Sequence, residues 1–139
     1  MSTRLKEKEE KIRLVLECLA EESVKGKPII VEGKKDIEAL RMLGVEGKII
    51  SAKTGGKSLL DVISEVEKCE AQEVIALLDF DRRGKEWTKR LKHHLEKAKI
   101  KLNLKFWNEL LGLVGKEVKD IEGLATYMET LKRKIGNFT

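Results

Sequence analysis

The chain has 139 residues, of which 41% are hydrophobic and 38% charged, with a formal net charge of +5. That length suits one compact domain with a sizeable core, and no apolar run is long enough to cross a bilayer. The charge excess is small and mixed in sign, so most of it reads as solvated, ion-paired helix faces; a polyanion partner requires the positive side chains to gather on one side.

The segment from Thr3 to about Ser23 predicts a helix, because Ile12, Val15, Leu16 and Leu19 recur at helical spacing with charges on the other face. Its charged start lacks the apolar stretch of a secretory signal. "PIIVE", Pro28 to Glu32, is short, β-branched and apolar, as a buried strand would be. "KKDIEALRMLG" follows as a helix with Gly44 at its end. "GKIIS", Gly47 to Ser51, is a second strand, and "SLLDVISEVEKC" a helix with Leu59, Leu60, Ile63 and Val66 inward. "EVIALLDFD", Glu73 to Asp81, is a third strand. "RRGKEWTKRLKHHLEKA" is a helix with Trp87 and Leu91 toward the core. "IKLNLKFW" alternates apolar and polar and predicts a half-exposed fourth strand. A short helix from Asn108 to Val114, the loop "GKEVKDIEG" and a last helix from Leu124 to about Lys134 complete the chain.

Alternating strands and helices predict an α/β fold with a four-stranded parallel sheet between helices. Residues 1–26 form an N-terminal helical extension that packs on the sheet, binds a partner or mediates dimerisation, and residues 27–139 form the main domain. Ligands in such sheets bind beyond the carboxyl ends of the strands, which directs attention to Glu32, to Ser51–Lys57 and to Asp79–Gly84. Cys18 and Cys69 match no metal spacing and sit in apolar-periodic stretches. Both read as reduced core thiols, which fits a cytoplasmic protein. Abundant Lys and Glu with few Asn and Gln hint at a thermophilic source.

"SAKTGGKSLLD" ends like a phosphate-binding P-loop, but Ser51 stands where the first glycine belongs, and the loop follows the second strand. Two readings remain. Gly55, Gly56 and Lys57, at a helix N-terminus, hold one phosphate; or the stretch is a plain turn with Ser58 as N-cap.

Asp79 and Asp81 sit two apart at a strand end. If the strand persists through Asp81, both carboxylates point the same way. Two like charges that close repel, and a divalent cation between them removes the problem. Hard oxygen donors without Cys or His favour Mg²⁺, with Mn²⁺ as the alternative. Glu32 closes the first strand in the same kind of position. Three carboxylates beside Lys34, Lys57, Arg82, Arg83 and Lys85 form a metal-plus-cation site suited to phosphodiesters.

"IIVEGKKDIEAL" followed by "ALLDFDRRGKEW" resembles the Toprim domain shared by topoisomerases, bacterial primases, OLD-family nucleases, recombination proteins and 5S rRNA maturases. The resemblance spans about Lys27 to Leu104, and small stand-alone, primase-like Toprim proteins of archaea and some bacteria match it best. It implies that Glu32 acts as general acid/base or as part of the metal site, and that Asp79 and Asp81 bind Mg²⁺. It also implies that Gly33 and Gly84 let the backbone approach the site closely. "KDIEG", Lys119 to Gly123, is similar to a late acidic motif of the rRNA maturases. The expected activity is a Mg²⁺-dependent nuclease acting on RNA or DNA, with catalytic residues Glu32, Asp79 and Asp81. Alternatives are a non-catalytic nucleic-acid or ribonucleoprotein-binding module and a primase-like nucleotidyltransferase. The chain lacks room for the tyrosine-bearing domain of topoisomerases or the zinc and polymerase-like domains of primases. Tyr127, Trp87 and Trp107 read as packing residues, and adjacent His93 and His94 face too far apart to chelate one metal.

Overall fold

A computed structural model describes residues 2–136; Met1 and positions 137–139 of the predicted main domain lie outside the described residues. Four parallel strands, β1 (Ile29–Val31), β2 (Ile49–Ser51), β3 (Glu73–Ala76) and β4 (Lys101–Asn103), form one sheet in the order β2-β1-β3-β4. The helices are α1 (Ser2–Val24), α2 (Lys34–Met42), α3 (Leu59–Lys68), α4 (Arg82–Lys97), α5 (Lys105–Val114) and α6 (Ile121–Gly136).

Every residue of β1 is fully buried, which explains its unbroken apolar run: a central parallel strand has no solvent face. Its side chains alternate between two cores. Ile29 and Val31 join Ile75 and Leu77 beneath Ile12 and Leu19 of α1, Leu40 of α2, Leu110 of α5 and Leu124 of α6. Ile30 joins Val74, Ala76 and Leu78 beneath Val62 and Val66 of α3 and Leu91 and Leu95 of α4. The expected α/β architecture, a four-stranded parallel sheet between helices, is therefore present, and its strand order sets β1 beside β3. Helix α1 contributes its apolar stripe to the first core.

Three element boundaries differ from expectation. The third strand stops pairing at Ala76, five residues before Asp81, although Leu77 N–H still donates to Ile30 O at 2.8 Å. The fourth strand ends at Asn103, whose side-chain oxygen accepts the Lys105 N–H at 2.9 Å and turns the chain into α5. Trp107, placed by the alternation on the strand, is instead a buried residue of α5, with Nε1 donating to Leu78 O at 2.7 Å. The last helix starts at Ile121, three residues earlier than its apolar pattern shows. Cys18 is exposed rather than in the core, one position and about 100° round the helix from buried Leu19. Cys69 is half-buried, its Sγ 3.3 Å from Glu65 O.

Candidate functional site

The carboxyl ends of β1 and β3 bring Glu32 and Asp79 together. Parallel pairing sets Ile30 beside Ala76, and the two chains run on side by side. The Asp79 N–H donates to Glu32 Oε2 at 3.0 Å. On the other flank of β1, Lys53 N–H donates to Glu32 O at 3.0 Å, continuing the β1–β2 ladder. Lys53 Nζ then reaches Glu32 Oε1 at 2.6 Å and lies 5.9 Å from the centre of the Trp87 ring. Both oxygens of this buried carboxylate are thus engaged.

Two further acids complete the site. Phe80 N–H donates to Lys119 O at 2.7 Å, which ties the loop before α6 to the end of β3. Asp120 follows directly, and its Oδ1 accepts from Gly123 N–H at 2.6 Å. Asp36, in the first turn of α2, is buried and accepts from Gly33 N–H through Oδ2 and from Glu122 N–H through Oδ1, each at 3.0 Å. Carboxylate oxygens of Asp36, Asp79 and Asp120 lie within 4.8 Å of one another.

Like charges this close are costly, and the protonation pattern shows it. Burial, then Glu32, Asp36 and Asp120, push the Asp79 carboxyl up to about 8. Burial also raises Asp36, helped by Asp120 and Glu122 and opposed by the two backbone N–H groups. Burial pushes Glu32 up too, but Asp79 and the Lys53 ammonium outweigh it, and Glu32 lies below the usual carboxylate range. The proton of the pair therefore resides on Asp79. The cluster persists because α2 and α6 present the positive ends of their dipoles and free N–H groups to it.

The donor set fits a divalent cation. Three hard oxygen donors converge within coordinating reach, with no sulfur or imidazole in the group, and in the bare protein Asp79 is raised to about 8 by burial and its acidic neighbours.

The sequence-selected residues divide in this geometry. Glu32 and Asp79 stand at the centre. Asp81 is exposed and N-caps α4, its Oδ1 accepting from Gly84 N–H at 2.8 Å, and it falls outside the cluster of three acids. Its side chain is aimed by a helix start, so the shared orientation expected from a continuing strand does not arise. A Cβ on Gly84 would lie 2.0 Å from Asp79 O, so the close approach expected there is real. One on Gly33 would meet only Asp36 Oδ2 at 3.8 Å. Gly55 and Gly56 have φ of 72° and 70°, and Ser58 caps α3, with Oγ accepting from Asp61 N–H at 3.2 Å. Lys57 donates to Ser51 O at 3.1 Å and pairs with Glu65 at 2.5 Å. The turn-and-cap reading accounts for each of these contacts. Lys34, Arg82, Arg83 and Lys85 are exposed at the starts of α2 and α4.

Sequence reasoning missed Asp36 and Lys53 and noticed Asp120 only through a motif. Asp36 lies in a charged helix start where its neighbours are solvated, and the Ser51–Lys57 stretch drew attention to Lys57 instead of Lys53.

Comparison with known proteins agrees with this fold. The Toprim domain matches residues 27–107. A UPF0292 protein of Methanocaldococcus jannaschii is 41% identical over 86% of this chain and 91% of its own length. A UPF0292 protein of Methanosarcina acetivorans is 39% identical over 91% of this chain and 86% of its own. A solved structure of a protein from Aquifex aeolicus is 27% identical, with a TM-score of 0.67 over 78% of this chain and 93% of that one. Among the described residues no helix is long and apolar enough to cross a membrane. The chain belongs to the Toprim domain family, which implies a metal-dependent function related to nucleic acids, and is similar along most of its length to small archaeal members.

Proposed function

We propose that this protein is a Mg²⁺-dependent phosphodiester enzyme, a nuclease acting on RNA or DNA. The observation that carries the reading is the meeting of an ionised Glu32 with the group of Asp36, Asp79 and Asp120 at the carboxyl edge of the sheet. Asp79, with Asp36 and Asp120, would hold the cation. Asp81 Oδ2, which has no hydrogen-bond partner among the described residues, would join from the start of α4. A bound divalent cation supplies Lewis-acid stabilisation of charge on phosphoryl oxygens.

The chain's own residues have separable roles. Glu32 is held ionised and so suits a base that takes a proton from the attacking oxygen. Lys53 holds it in place and would move toward the phosphate as the proton arrives. Lys34, Arg82, Arg83 and Lys85 would bind the backbone, with Lys57, Gly55 and Gly56 at the far rim. Phosphate contacts of this kind give salt-sensitive affinity with little sequence preference.

The test is an incubation of purified protein with labelled RNA and DNA in Mg²⁺, Mn²⁺ or EDTA, with and without nucleoside triphosphates. Metal-dependent cleavage that is lost in Glu32→Gln is expected. Binding without Glu32-dependent turnover would replace the enzyme by a binding module, and triphosphate incorporation would make it a nucleotidyltransferase.

A further inference from the structure

Helix α1 carries a second pattern besides its buried stripe. Glu7, Lys11, Leu14, Cys18, Glu21 and Lys25 recur at alternating steps of four and three, and all six are exposed. That spacing sets all six along one face, with the geometry of the seam of a two-helix coiled coil, although only Leu14 and Cys18 at its centre are apolar. Leu14 is 57% exposed and sits with Cys18 at the edge of an apolar groove of about 520 Å³ between α1 and α5, floored by Phe106 and Leu113. Glu7, Lys11 and Glu21 make no ion pair among the described residues; Lys25, just beyond the helix, pairs with Glu22 at 3.0 Å.

Charge decides what fits this face. A second copy laid parallel would set Glu7, Lys11 and Glu21 each against its own kind. Laid antiparallel about Leu16, so that paired positions sum to 32, the same face becomes self-complementary. Leu14 then meets Cys18 of the second copy, Lys11 meets Glu21, and Glu7 meets Lys25, each twice by symmetry. Antiparallel registers one heptad away set Leu14 against Lys11 or Lys25 and Cys18 against Glu7 or Glu21. One register alone joins apolar to apolar and opposite charge to opposite charge in every layer.

We infer that the exposed face of α1 docks onto the α1 of a second copy of this chain as an antiparallel two-helix seam, forming a two-fold dimer. The interface is isologous, as closed dimers require. With two apolar layers and four ion pairs, it predicts a weak, salt-sensitive association with a dissociation constant on the order of 10–100 µM.

Sedimentation equilibrium across that concentration range tests it. Wild type should dimerise. Lys11→Glu and Glu21→Lys, surface changes whose folding circular dichroism checks, should each weaken the dimer at least about tenfold, because each sets like charges together twice. An equimolar mixture of these two variants should dimerise again, since the carboxylate introduced in one then faces the ammonium introduced in the other. Leu14→Cys should form an intermolecular disulfide with Cys18 under a mild oxidant, and adding Cys18→Ser should abolish it. A wild type that stays monomeric, or a dimer that neither charge reversal weakens, overturns the inference.

Discussion

The Asp79 N–H donates to Oε2 of Glu32 at 3.0 Å, joining residues 47 positions apart at the ends of two adjacent parallel strands. This bond fixes the Glu32 carboxylate beside the Asp79 side chain, where ionising both is costly. Lys53 stabilises the ionised form of Glu32, so the proton falls to Asp79.

Metal-free stability should therefore depend on pH in an unusual direction for a carboxyl group. Folding raises the Asp79 carboxyl from 3.8 to about 8. The stability this provides is complete below the unfolded value and is lost as pH rises through the folded one. Asp79→Asn keeps the neutral form at every pH. At pH 9 without metal the variant should be more stable than wild type by on the order of 2 kcal/mol, and at pH 4 nearly equal to it. Thermal unfolding at both pH values in EDTA measures this.

Together with the Asp79 side chain, Lys53 holds Glu32 ionised, across a 2.6 Å contact. Lys53→Met keeps the stem and removes the charge, so the Glu32 carboxyl should rise. If Glu32 is the base, the acidic limb of the cleavage rate profile moves to higher pH by about one unit. Rates measured from pH 5 to 9 check the shift.

Much of this site can be read from local sequence, and the remainder depends on contacts made elsewhere. Glu32 and Asp79 close apolar runs, and the alternating elements place both run-ends on one edge. Asp36 is different. Its burial comes from the start of α6, where Glu122 N–H donates to it across 86 positions, and nothing in "KKDIEAL" encodes that contact. Asp120 belongs to a visible motif, but only the bond from Phe80 N–H to Lys119 O carries it to Asp79. For Asp81, local periodicity misleads, because a helix cap at Gly84 redirects the side chain after the strand has ended. Trp107 shows the same override: alternation continues past Asn103, but a side-chain bond to Lys105 N–H starts a helix.

Gly84 is where helix α4 presses on the loop that carries Asp79. A Cβ there would meet Asp79 O, Cα and carbonyl carbon at 3.0 Å or less, and all three are backbone. Gly84→Ala should cost about 1–3 kcal/mol and displace Asp79. Chemical denaturation gives the first effect, and loss of metal affinity in the still-folded variant gives the second.

Arg82 and Arg83 lie exposed in the first turn of α4. Replacing both by Ala should weaken nucleic-acid binding without base preference and reduce the slope of log affinity against log salt by about 1–2. Fluorescence anisotropy over a salt series reads both. An unchanged slope would place the backbone contact elsewhere.

The most direct measurement is Mn²⁺ binding followed by electron paramagnetic resonance. Wild type at pH 8 should bind the ion at one site. Affinity should fall as pH drops, because the ion must displace the proton on Asp79. Asp79→Asn should bind at least about tenfold more weakly, with Asp36→Asn and Asp120→Asn weakened as well. Equal affinity in wild type and Asp79→Asn would contradict a metal centre at this edge of the sheet.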